Sequence, residues 1–477
     1  MYDCLIIGSG IIGSSIAREL SRYQGNFLVL EKENDVSCGT TKANSGIIHA
    51  GFDALPNTLK ARFNVEGTKM YPTLSKELDF PYRKNGAFVL SFSLEGHKTL
   101  ETLMERAKEN GVSGCSILSG DEIRAIEPNV SKEVVEGLYA KESGIASPYE
   151  MAIAMAENAT TNGVEFRFLE EVDIIKPIEG GFEVHTKSNE VFQTKVLVNA
   201  AGVYADNFNN MVSSIKYHII PRKGEYVLLD KTYGSLTNAT LFQLPTAMGK
   251  GVLVSPTTHG NIIVGPTAYD VLDKDNTWTT PQGLSEVFGK ALLSLPSLPY
   301  SGIITQFSGL RAHEEHDDYV IGFSKDVPGF FNCLGIESPG LASSPSIARY
   351  AVSEIKTYLN LKDNPKFVKE RVGISHIRLM NDLELEKAIQ TNPEYGHVIC
   401  RCEVVSEAEI REAIRRKPGA VDLDGVKRRV RAGMGRCQMG FCTPRVMEIL
   451  AEELHEPLVN ITKKGQGSEI VVGRIKE

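Results

Sequence analysis

Residues 2–33, "YDCLIIGSGIIGSSIARELSRYQGNFLVLEKE", constrain the fold more than any other stretch. The run Leu5-Ile6-Ile7 is continuously apolar and ends at a glycine, which predicts a buried strand. Gly8, Gly10 and Gly13 give a G-x-G-x-x-G turn, and Ile16, Ala17 and Leu20 recur behind it at helical spacing. Phe27 to Leu30 predicts a second buried strand, ended by Glu31. Glycine answers three backbone demands here: a tight turn, close approach of a pyrophosphate, and close helix–strand packing. Glu31 falls about twenty residues later, where a carboxylate can accept hydrogen bonds from a ribose diol. The unit specifies a Rossmann-like α/β domain for one dinucleotide, FAD or NAD, and no second such unit follows.

At 477 residues the chain exceeds one ordinary domain, so two or three are expected. A formal net charge of −8 argues against nucleic acid as a partner, because such binders are normally basic. The local exception is 411–436, where Arg411, Arg415, Arg416, Lys417, Lys427, Arg428, Arg429, Arg431 and Arg436 face only Glu412, Asp422 and Asp424. For most of these the expectation is a solvated helix face. No run approaches the roughly 18–20 apolar residues of a transmembrane helix, and the N-terminal apolar run lacks the basic lead of a secretory leader. Cys4 and Cys333 sit in strand-like stretches as inert core residues. Cys38 and Cys115 stand alone, and the other four cysteines crowd into 400–442. A reducing, cytoplasmic setting is the simplest reading, with any membrane association made through a partner.

Three later stretches choose between the dinucleotides. "GTTKANSGIIHAG" (39–51) is small and polar, "VLVNAAGVYAD" (196–206) is a strand running into a glycine turn, and "GIESPGLASSPSIARYAV" (335–352) is a strand, a Ser-Pro-Gly turn and a long helix. With these in order, residues 1–365 resemble the D-amino-acid-oxidase-like family of FAD enzymes, most nearly its glycerol-3-phosphate dehydrogenase and L-2-hydroxyglutarate oxidase branches. The resemblance implies FAD held by Gly8, Gly10, Gly13 and Glu31 at its ADP half. It further implies Thr40, Asn44, Ser45 and Gly46 along the flavin, and Ala200, Ala201 and Gly202 behind the nucleotide. The turn Pro339-Gly340-Leu341 would set a helix N-terminus at the pyrimidine edge, where the reduced ring carries negative charge.

An enzyme of this kind needs a base for a hydroxyl or amine proton, a cation for the substrate's anionic end, and a dry pocket. The candidate base is His49 in "SGIIHAG", the alternative being a hydrogen-bonded core histidine. The candidate anchors are Arg311 in "FSGLRAHEEHDDYVIG" and Lys250 in "GKGVLVSPTTHGNIIVGPT". An Arg fork suits phosphate or carboxylate. His313 and His316, in an acidic run, read as loop residues. Segments 80–140 and 206–300 read as a strand-rich substrate domain interleaved with FAD-binding segments 1–80, 140–205 and 300–365; "RKGEYVLLD" (222–230) is a strand of the sheet roofing the flavin. Two cations favour glycerol 3-phosphate, and L-2-hydroxyglutarate remains open.

After a connector, 366–395, comes a small helical domain, 396–455, and a tail, 456–477, without a legible motif. Cys400 and Cys402 form a CxC just before the capping box Ser406/Glu409; Cys437 and Cys442 form a CxxxxC before Thr443-Pro444. Loops at helix N-termini favour thiolates, which bind Zn2+ or an iron–sulfur cluster. CxC with CxxxxC is an awkward fit for structural zinc, and it is similar to the bacterioferritin-associated-ferredoxin-like domain that binds [2Fe-2S]. The resemblance implies a dehydrogenase that passes electrons from flavin through the cluster to a partner subunit. An amino- or imino-acid dehydrogenase and a non-catalytic electron-transfer subunit are the competing expectations.

Overall fold

The computed structural model describes residues 1–245 and 251–473. Strand Tyr2–Ile7 lies inside an eight-stranded sheet, parallel to Phe27–Leu30 on one side and Val191–Asn199 on the other. Glu165–Arg167 and Phe330–Leu334 continue the parallel order outward. Helices Pro148–Thr161 and Gly340–Leu359 both pack on Ile11–Leu20, and Ile6, Ile16, Leu20, Phe27 and Phe331 fill the core there. Leu5, Ile7, Leu28, Leu30 and Phe330 are buried on the opposite face. Coverage of both faces is why these strands read as unbroken apolar runs.

The glycine turn behaves as its spacing predicts. Gly8 has φ +97°, and a Cβ there would come to 2.7 Å from the Ala200 carbonyl oxygen. A Cβ on Gly13 would overlap the Gly8 carbonyl, so the helix can press against the turn only without one.

A nine-stranded sheet forms the second half of the body. Its longest pairing is antiparallel, Ile219–Leu229 with Ile303–Glu314, in a register running from Ile219 opposite Glu314 to Leu229 opposite Ile303. The sequence reading grouped 300–365 with the FAD segments; residues 303–314 instead join this sheet, held by that long ladder. The same strand carries His313, which is half-buried rather than in a loop, whereas His316 lies beyond it and is exposed.

Three helices, Glu407–Arg415, Leu423–Val430 and Thr443–Leu454, surround Ile410, Ala413, Val426, Val446, Ile449 and Leu450. Ser406 and Glu409 form the reciprocal capping box that starts the first. Cys442, one residue before the expected Thr443, is the N-cap of the third, with Pro444 in its first turn. The basic run 411–436 corrects the expectation of a solvated face. Arg428, Arg429 and Arg431 are only 4%, 5% and 3% exposed. Arg428 and Arg429 converge on Asp35 of the nucleotide-binding half at 2.6 to 2.8 Å, and Arg416 reaches Glu157 at 2.9 Å. Arg411 and Arg415 pair with Glu453 inside the small domain. A helix that must dock against a body presenting carboxylates buries its cations with them.

Candidate functional site

A single cavity of about 1840 Å³ runs along the nucleotide-binding sheet and under the nine-stranded one. That is larger than the 300–1,000 Å³ usual for a small ligand alone and suits an extended dinucleotide with a substrate beside it. Gly8, Gly10, Glu31, Thr40, Asn44, Ser45, Gly46, His49, Ala200, Ala201, Gly202, Arg311, Pro339, Gly340 and Leu341 all line it. Gly13 is buried behind the turn. Lys250 lies outside the described residues.

Glu31 is buried, and its Oε2 accepts from the Ser9 N–H at 2.7 Å and the Ser9 hydroxyl at 2.8 Å, while Oε1 accepts from the Glu33 N–H at 3.0 Å. Burial raises its pKa against those donors. A carboxylate has roughly four lone-pair sites, so capacity remains for a ribose hydroxyl. Thr41, which the sequence reading passed over, accepts the Ile11 N–H at 2.9 Å on Oγ1 and so ties the loop to the first helix's N-terminus. The Thr40 hydroxyl donates to the Leu310 carbonyl at 2.7 Å, and Asn44 donates to the Thr40 and Thr41 carbonyls while accepting the Gly46 N–H. Their polar groups shape the loop, leaving its backbone toward the cavity.

On the other wall, the His49 ring lies 5.5 Å from that of Phe242, and the His49 backbone carbonyl accepts from Asn64 at 2.6 Å and Thr68 at 2.7 Å. Arg311 is fixed by donating from Nη2 to the Thr267 carbonyl at 2.7 Å and from Nε to the Arg222 carbonyl at 3.3 Å. It forms no salt bridge among the described residues, whereas Arg222 is already paired with Asp270 at 2.7 Å. Burial pushes the Tyr226 hydroxyl up, while the Arg311 charge and the Ser45 hydroxyl act in the opposite direction. Below, Glu337 accepts from His313 and Lys60, each at 3.0 Å. Helix Gly340–Leu359 opens directly onto the cavity.

The small domain walls the same cavity. Met434 and Gln438, which flank Cys437, line it, together with Lys427, Arg428, Arg431 and Lys463. The Tyr149 hydroxyl donates to the Met434 sulfur at 3.5 Å, and Arg431 bridges Glu403 at 2.8 Å and Asn261 at 3.3 Å. One feature of the sequence points to this docking, the density of arginines beside the cysteines. The thiols interact in two pairs, Cys400 with Cys442 and Cys402 with Cys437. The Cys442 thiol and the N–H groups of Gly433 and Glu403 lower the Cys400 pKa against its burial. Cys400 and Cys442 are buried; Cys402 is exposed, and Phe441, the chain neighbour of Cys442, is 88% exposed. The four cysteines supply the donor set of a thiolate-ligated cluster.

Comparison with known proteins agrees with this geometry. Residues 3–354 match the family described as FAD dependent oxidoreductase, and residues 398–452 match the BFD-like [2Fe-2S] binding domain. The chain is 46% identical to a glycerol 3-phosphate dehydrogenase of Caloramator mitchellensis, over 100% of this chain and 99% of the relative. It is 30% identical to an L-2-hydroxyglutarate dehydrogenase of Escherichia coli (strain K12), over 56% of this chain and 64% of the relative. Among solved structures, dithionite-reduced, FAD-bound L-alpha-glycerophosphate oxidase from Mycoplasma pneumoniae matches with a TM-score of 0.74 at 32% identity, covering 78% of this chain and 98% of that one.

Proposed function

The chain belongs to the FAD-dependent oxidoreductase family and carries a BFD-like domain, so its cofactors are FAD and a [2Fe-2S] cluster; from this premise we propose that it oxidises sn-glycerol 3-phosphate to dihydroxyacetone phosphate and passes the electrons through the cluster to a partner protein. The observation that carries the reading is that the cysteine loop itself walls the flavin cavity through Met434 and Gln438. The comparisons support the non-oxygen acceptor. The match to the structure named an oxidase covers 78% of this chain, and the match to the relative named a dehydrogenase covers all of it.

In this reading Arg311, with Lys250, holds the phosphate in a bidentate grip. His49 takes the proton of the C2 hydroxyl. The nine-stranded sheet, with Phe242 and Tyr226, keeps water from the reacting carbon. Bound FAD supplies the acceptor for the C2 hydride, and the cluster, held by Cys400, Cys402, Cys437 and Cys442, supplies one-electron carriage. The N-terminus of Gly340–Leu359 stabilises the negative charge that develops beside it. The exposed Cys402 edge, with Arg401 and Arg436 also exposed, is where a partner would collect electrons. The division into a body of 1–365, a connector of 366–395, a cluster domain of 396–455 and a tail is part of the same proposal.

Anaerobic titration with glycerol 3-phosphate, beside L-2-hydroxyglutarate, tests it by absorption. Bleaching of the flavin band by glycerol 3-phosphate, followed by the broader cluster absorbance, is expected. Bleaching by hydroxyglutarate alone would replace the substrate while leaving the electron route in place, because the Arg311 fork suits a carboxylate equally.

A further inference from the structure

We propose that the cluster domain completes the FAD site: Lys427 and Arg428, with Lys42 of the body and Lys463, seat the cofactor's diphosphate. The inference rests on the FAD assignment and not on the identity of the substrate.

A dinucleotide's diphosphate belongs at the glycine turn and the first helix's N-terminus, here Gly8 to Ile11. Around that point the body presents Glu31, Glu33 and Asp35, a poor setting for a dianion. The small domain changes its charge. Arg428 and Arg429 neutralise Asp35, which their guanidinium groups hold below the ordinary carboxylate range despite its burial. Arg428 also lines the cavity and is 4% exposed.

Lys427, one residue earlier, lines the cavity, and its ammonium makes neither a salt bridge nor a hydrogen bond among the described residues. The charges acting on it are Asp424, Lys463, Lys42 and Arg428, and burial adds to the cost of its ammonium. Asp424 is already shared with Lys463 at 3.6 Å. Lys42 follows Thr41, whose hydroxyl oxygen holds the Ile11 N–H, so this lysine stands beside the helix end as well. Cations brought together from two domains, lining one cavity with a lysine ammonium that no described acceptor holds, describe an anion seat.

The test follows FAD release from the full-length holoprotein after dilution, by the fluorescence of free flavin, with the cluster absorbance recorded to establish an intact fold. Lys427→Gln should release FAD at least about tenfold faster, as expected for a lost charged hydrogen bond. Lys427→Arg should stay within about threefold of the parent, since it keeps the charge. Salt should speed release from the parent and have less effect on Lys427→Gln. Release from Lys427→Gln at the parental rate, or from Lys427→Arg as fast as from Lys427→Gln, overturns the proposal. Should Lys427→Gln lose its cluster, the parent decides: release that ignores salt overturns the proposal, and release that rises with salt supports it. Substrate is absent throughout, so failure here is separate from failure of the glycerol 3-phosphate reading.

Discussion

Arg311 and His49 can be substituted without endangering the fold, because each is tied to it by the backbone of its neighbours. The His49 carbonyl, not its ring, holds Asn64 and Thr68. His49→Ala is therefore expected to keep FAD and its spectrum while lowering kcat by about 10²–10⁴-fold, the usual range for a lost general base, as stopped-flow flavin reduction would read. Arg311→Ala exposes two carbonyls to cavity water and should lower kcat/KM for glycerol 3-phosphate by about 10- to 100-fold. Arg311→Lys should fall between, since it keeps the charge but loses the fork. Glu337 gives a pH signature. Burial pushes its carboxyl up, but the His313 hydrogen bond and the Lys60 charge prevail and hold it at about 2, against an ordinary 4.5. A carboxyl held down in the fold contributes stability that is complete above pH 4.5 and is lost as pH falls toward 2. Glu337→Gln should remove on the order of 2 kcal/mol at neutral pH and flatten the acid limb of Tm against pH.

At the scale of elements, what was legible in the sequence was local. Strand Tyr2–Ile7, the glycine turn, helix Ile11–Leu20 and the capping box at Ser406 each follow from neighbours a few residues apart. Strand Ile303–Glu314 was assigned to the other half because its partner, Ile219–Leu229, lies far away in sequence. The arginines of helix Leu423–Val430 were read as solvated for the same reason: nothing near them signals Asp35, some 390 residues upstream. The tail had no motif, yet Ile461 is buried in the small domain and Lys463 reaches the cavity. Because Asp35 is 1% exposed and satisfies two guanidinium groups, Asp35→Ala should cost about 3–5 kcal/mol. It should loosen the small domain, seen as a lower Tm and faster proteolysis between 360 and 397. Replacing Asp35, Arg428 and Arg429 together by leucine should regain much of that stability, though not FAD retention if Arg428 helps to seat the cofactor.

The whole molecule gives the two redox centres an inside and an outside. Met434 and Gln438 face the cavity, Cys400 and Cys442 are buried, and Cys402 and Phe441 meet solvent. No described helix is long and apolar enough to cross a membrane. In the proposed electron route, entry and exit fall on different sides of one small domain, and a change at the outer edge should leave the inner chemistry alone. Cys402→Ser supplies that separation, because its thiol contributes little to a buried core while the other three cysteines keep their positions. Substrate should still bleach the flavin at the parental rate, whereas the cluster signal in electron paramagnetic resonance should weaken or shift. Turnover with a protein acceptor should collapse, and turnover with a small dye able to enter the cavity should persist. Equal loss of both would place the defect in the flavin half and contradict the inside-to-outside order. Equal retention of both would mean that electrons reach the acceptor without the cluster, leaving the shared cavity wall a structural contact only.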